Sequence, residues 1–171
     1  MKQFGFLMAL CFAILSFAPA PASAGQEIKP FVRGSYQKIV AARQGKPFIL
    51  NFWSLTCGYC MVELEMLKKL AAKHPKLDMV LVSTDTPEEE ASVSATLEKF
   101  SLGKAEAWVF SDSYTERLRF EIDKKWQGEL PRTYFFSAKN NEVIAVSGKV
   151  EQEEVEQWIE KHMGTDAAAL P

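Results

Sequence analysis

Continuous apolar runs alternate along the chain with stretches in which apolar residues recur every three or four positions. "PFILNFW", Pro47 to Trp53, is nearly all apolar and is bounded by Gly-Lys and Ser-Leu-Thr. A short unbroken run with such borders predicts a buried central strand. From Gly58 to Lys73 the pattern turns helical. Leu64, Leu67 and Ala71 recur at three and four, lysines gather toward the C-terminal end, and His74-Pro75 closes the segment.

Leu77 to Thr84 predicts a second strand. Thr86-Pro87-Glu88-Glu89 offers a capping residue, a proline at the first helical position and a glutamate three on, so a helix is expected to about Phe100. "AWVF", ending at Phe110, reads as a short strand. Ser113 to Lys125 reads as a helix with Tyr114, Leu118 and Ile122 at four-residue spacing. "RTYFFSA" and "EVIAVSG" read as strands joined by a hairpin-like turn at Lys139-Asn140-Asn141, and Glu151 to Met163 as a closing helix. Upstream, Ser35 is expected to cap a helix that stops at Gly45. Gly25 to Lys29 reads as a loose leader, with room for one more short strand near the start. Alternating β and α segments predict an α/β fold with a parallel core sheet, and the final hairpin adds an antiparallel edge.

The N-terminus changes the expected compartment. Met1-Lys2 gives a positive start, Phe4 to Phe17 is apolar, and Ala22-Ser23-Ala24 forms a small-residue cleavage site. This is the pattern of a secretory signal peptide over residues 1–24, cut after Ala24. The run is shorter than the roughly 20 residues a membrane span needs. Cys11 lies in that apolar run, after Leu10 where lipid attachment would need a small residue, so it is expected to be lost with the signal. Residues 25–164 form one expected domain and 165–171 a flexible tail. The full chain carries a net charge of −2 with mixed signs and no basic stripe, which argues against nucleic acid. A soluble, exported monomer is the expectation.

The mature chain keeps two cysteines, Cys57 and Cys60, in "TCGYC" between strand and helix. A structural staple gains little, because the spacing closes almost no loop. A closed zinc site needs four ligands. His74 lies 14 residues beyond Cys60, about 21 Å along a helix, and His162 stands alone. Cu(I) held by both thiolates and Met61 remains open, since soft ligands suit it. The third option is a reacting pair. Cys57 at a helix N-terminus sits where backbone N–H groups favour a thiolate. Cys60, one turn in on the same side, can displace a partner from Cys57. Gly58 and Tyr59 leave the turn open to a substrate chain.

"PFILNFWSLTCGYC", followed about 70 residues later by "GELPRTYFF", resembles the thioredoxin fold, a three-layer α/β sandwich with a mixed sheet and helices on both faces. From Ser35 to Met163 the chain resembles the exported TlpA/ResA-like thiol–disulfide oxidoreductases. That resemblance implies a periplasmic enzyme whose redox-active Cys57–Cys60 disulfide serves in place of any cofactor or metal. Its substrates would be exported proteins with disulfides, and a membrane thiol-reductant transporter would recharge it. Catalysis would involve Cys57, Cys60, a cis-proline at Pro131, and Glu63, which tunes the protonation of the cysteines. Trp53, packed under the active-site loop, and Gly58, Tyr59 and Leu130 would meet substrate, Leu130 by offering its backbone to an added strand.

Several positions depart from the family pattern. Asn51 stands where cytosolic thioredoxins have an aspartate, which shifts weight to Glu63 as a base. Thr56 replaces a usual tryptophan, Gly58-Tyr59 the common proline-containing pair, and Arg132 the acidic residue that cytochrome c maturation thioredoxins carry after the proline. "TCGYC" also resembles periplasmic disulfide isomerases, so an isomerase or oxidase is an alternative direction. A non-catalytic Cu(I)-delivery or partner-binding scaffold is the alternative of another class.

Overall fold

A computed structural model describes residues 26–138 and 143–164. The expected signal peptide, the turn at Lys139-Asn140-Asn141 and the tail lie outside the described residues.

The described elements are β1 (Ile28–Phe31), α1 (Ser35–Ala42), β2 (Phe48–Trp53), α2 (Gly58–Lys73), β3 (Met79–Ser83), α3 (Glu90–Lys99), β4 (Glu106–Phe110), α4 (Thr115–Ile122), β5 (Arg132–Phe136), β6 (Val143–Ser147) and α5 (Gln152–Met163). A 3-10 turn over Pro87–Glu89 leads into α3. The strands form one mixed sheet in the order β1-β4-β3-β2-β5-β6. The first three pairings are parallel, while β2–β5 and β5–β6 are antiparallel.

Side chains alternate across a strand, and in β2 both faces are buried. Ile49 and Trp53 join Leu64 and Leu67 of α2, Val93 of α3 and Ile159 of α5 in one core. Phe48, Leu50 and Phe52 join Ile39 of α1 and Leu118 of α4 in a second core. These two cores make the three layers of a thioredoxin-like sandwich.

Local differences from the sequence expectation have local causes. The leader is ordered from Ile28, because β1 pairs with β4 and buries Ile28 and Phe31. Gly34, in the left-handed region at φ 84°, caps α1, and the Ser35 hydroxyl accepts instead from the N–H of Val32. Near Ser113 the chain stays irregular to Tyr114, whose N–H donates to the Asp112 carboxylate before α4 begins.

Candidate active site

The central strand β2 ends at Trp53, and a three-residue loop leads to Cys57, the N-cap of α2. Asp85, buried just after β3, shapes that loop. Its carboxylate accepts from the Ser54 hydroxyl at 2.8 Å and from the Leu55 N–H at 2.9 Å. Cys57 is extended at φ −90°, ψ 103°, and its Sγ accepts the N–H of Cys60 at 3.1 Å. Its carbonyl starts the helix by accepting from Met61. The two cysteines are joined in a disulfide with Cα atoms 5.2 Å apart. Cys57 is partly exposed and Cys60 fully buried. Only the N-terminal sulfur is therefore within reach of another protein. Gly58 is exposed, and Tyr59 beside it is 71% exposed.

Glu63 is one turn beyond Cys60 on α2 and is only 1% exposed. Its Oε1 accepts from Asn51 Nδ2 at 2.7 Å and from the Thr133 hydroxyl at 2.6 Å. Its Oε2 accepts from the Val150 N–H at 3.2 Å. Burial pushes its carboxyl above the ordinary value, opposed by the Thr133 and Val150 bonds and by the charge of Lys149. A protein interior normally excludes such a group unless it is hydrogen-bonded. Here three donors converge on it.

The peptide bond between Leu130 and Pro131 is cis. β5 runs antiparallel to β2 with Phe52 opposite Arg132, so Pro131 lies alongside the end of β2 at Trp53. The Pro131 carbonyl accepts from Gly148 N at 2.8 Å. Leu130 is half-buried and packs on the same core cluster as Cys57, Cys60 and Trp53. Arg132, the departure after Pro131, turns to the other face. It donates to the Asp123 carboxylate at 2.6 Å and to the Tyr134 hydroxyl at 3.1 Å.

The fold thus gathers Cys57, Cys60, Trp53 and Leu130 around one cluster, with Glu63 behind Cys60 and Pro131 at the end of β2. Trp53, the tryptophan that the resemblance puts under the active-site loop, reaches the site from inside the fold. It is completely buried and underlies the loop from within the core. Sequence reasoning missed Thr133, Val150 and Asp85. Two carried a signal: Thr133 and Asp85 are polar residues in or next to apolar strands, and such a residue demands a buried partner. Val150 acts through its backbone and carried none. Among the described residues, no group of three or more His, Cys, Asp or Glu side chains is placed to hold a metal ion, and no helix is long and apolar enough to cross a membrane.

A mixed sheet between two helical layers, with a joined Cys-x-x-Cys at the N-terminus of α2, is the arrangement of a thioredoxin-like thiol–disulfide oxidoreductase. Residues 28–141 match the AhpC/TSA family, and the chain belongs to it. No curated protein sequence gives a significant match. Among solved structures, the chain is similar to a secreted disulfide oxidoreductase of Mycobacterium tuberculosis homologous to E. coli DsbE. The identity is 22%, with 71% of this chain and 85% of that one covered and a TM-score of 0.54. A thiol:disulfide interchange protein of the thioredoxin family from Chlorobium tepidum matches at 16% identity, covering 73% and 85%, with a TM-score of 0.58. A DsbF homologue from Corynebacterium diphtheriae matches at 16%, covering 71% and 75%, with a TM-score of 0.51. At these identities the likeness speaks for the fold.

Proposed function

We propose that this chain is a periplasmic thiol–disulfide oxidoreductase that reduces disulfides in exported proteins. The observation that carries the reading is the asymmetry of the pair: a reachable Cys57 at a helix N-cap, bonded to a Cys60 that is closed off from solvent. In the reduced enzyme the Cys57 thiolate attacks one sulfur of a substrate disulfide. A mixed disulfide forms and the other substrate sulfur leaves as a thiolate. Cys60 then gives its proton to Glu63 and attacks Cys57 Sγ. The Cys57–Cys60 bond closes and the second substrate thiolate leaves. Two electrons pass from the enzyme dithiol to the substrate. Leu130 and Pro131 would line the docked peptide, with Tyr59 at its rim. A membrane thiol-reductant transporter would return the two electrons, and the expected signal peptide would deliver the chain to that compartment.

The direction of flow is tested by the equilibrium reduction potential of the pair, measured by alkylating free thiols after equilibration in graded thiol buffers. A value near or below about −220 mV supports a reductase. A value of about −120 to −180 mV, where strong oxidants and isomerases lie, replaces reduction with oxidation or isomerisation. A pair that never closes in solution, purified with stoichiometric copper, replaces both with Cu(I) delivery.

A further inference from the structure

We propose that Thr133 is a positioning residue of this site, whose hydroxyl sets how tightly Glu63 holds its proton; the inference rests on the exchange reaction above for its functional meaning. Asn51 and Thr133 face each other directly across β2 and β5. The Asn51 amide nitrogen has two hydrogens. One goes to Glu63 Oε1 at 2.7 Å and the other to Thr133 Oγ1 at 2.9 Å. Because the Thr133 oxygen accepts from Asn51, its own hydrogen is free to point at Glu63, 2.6 Å away. Two strands thus fix one O–H on one carboxylate oxygen, all of it buried.

A donor held on a carboxylate away from water stabilises the charged form over the acid. Besides Asn51, Val150 N supplies a main-chain donor that no side-chain change removes. The charged group facing Glu63 is Lys149, on the loop after β6, itself paired to Glu151 at 2.9 Å. From β2 and β5 the facing groups are the neutral Asn51 and Thr133, and Cys60 precedes Glu63 on its own helix. Thr133 is therefore the one neutral hydroxyl in the set whose removal leaves the charges in place.

Its location adds meaning. Thr133 is two residues past Pro131, and the Pro131 carbonyl is held by Gly148, two residues before Val150. The contacts close a ring from Pro131 through Thr133, Glu63, Val150 and Gly148 back to Pro131. The proton on Glu63 and the peptide-lining segment share this ring.

The test replaces Thr133 with Val, which keeps shape and loses the hydroxyl, and with Ser, which keeps the hydroxyl. The readout is the side-chain carboxyl carbon resonance of Glu63 followed against pH in the oxidised protein. Losing a bond to a charged group should raise the midpoint of Glu63 by about one pH unit, about a tenfold gain in proton affinity. Thr133→Ser should return it to the wild-type value. If Thr133→Val fails to fold, Thr133→Ala gives the same reading. A folded Val or Ala variant that titrates Glu63 at the wild-type pH overturns the proposal, as does a Ser variant that fails to restore it. Lack of disulfide exchange by the wild-type enzyme would remove the proposed function instead, since the titration needs no turnover.

Discussion

Replacing Glu63 with Gln should change how the stability of the oxidised protein depends on pH. In the native state the carboxyl is held above its ordinary value of 4.5 by burial, against the opposing bonds from Thr133 and Val150. Between 4.5 and the native midpoint the folded protein therefore binds more protons at this site than the unfolded chain. Stability from the protonated carboxyl is fully present below the unfolded value and is lost as pH rises through the folded one. One such proton makes the unfolding free energy fall by up to about 1.4 kcal/mol for each pH unit in that window. Glu63→Gln has no proton to lose. Its carbonyl can still accept from Asn51 and Thr133, while its NH2 meets the Val150 N–H, a fixed offset of about 1 kcal/mol. The slope, rather than the offset, is diagnostic. Urea unfolding of both proteins in steps from about pH 4 to about pH 8 gives a difference curve in which other carboxylates cancel. Glu106 is one of these: burial pulls it upward, but its bonds from Arg43 and Lys29 win and hold it low. Parallel pH profiles for wild type and Glu63→Gln would refute the reasoning.

Other perturbations follow from the same structure. Cys57→Ser should abolish disulfide exchange, while Cys60→Ser should accumulate mixed disulfides visible by non-reducing electrophoresis and mass spectrometry. His74 caps the C-terminal end of α2, only 4% exposed, with neither ring nitrogen bonded among the described residues. His74→Leu should therefore raise stability by about 1 kcal/mol or more in denaturant unfolding. Arg43 forks onto Asp78 through Nε at 2.9 Å and reaches Glu106 at 2.7 Å with its side chain 11% exposed. Arg43→Ala should cost about 2 kcal/mol by the same assay, and Arg43→Lys, lacking the fork, should recover less than half of it.

The sequence was most informative where structure depends on neighbours along the chain. α2 runs from Gly58 to Lys73, the bounds its spacing predicted, because a capping cysteine and a terminal His-Pro are local signals. The helical spacing also placed Glu63 on the side of Cys60. Its burial was not legible, because the groups that make burial tolerable come from Thr133 and Val150, separated from it by 70 and 87 residues. A short strand near the start has room in the sequence, but its bounds at β1 are not legible there for a similar reason: Ile28 is buried by pairing with Ala107, far along the chain. The cis bond before Pro131 was expected from family resemblance, whereas the ring of bonds around it required the register of β5 against β2. Trp53 packs under the active-site loop because it ends a strand buried on both faces, a place that the apolar run Pro47 to Trp53 already signals.

The separation of those contacts orders events in the newly made chain. Cys57 and Cys60 share one helical turn and can meet as soon as α2 forms. The surroundings of Glu63 need β5 and the segment after β6, contacts that require closure of far longer loops. An oxidant meeting the partly folded chain would therefore join the cysteines before Glu63 has its partners. A sulfur pair closed that early would carry the reactivity of an exposed peptide, and would acquire that of an enzyme only when the last third of the chain docks.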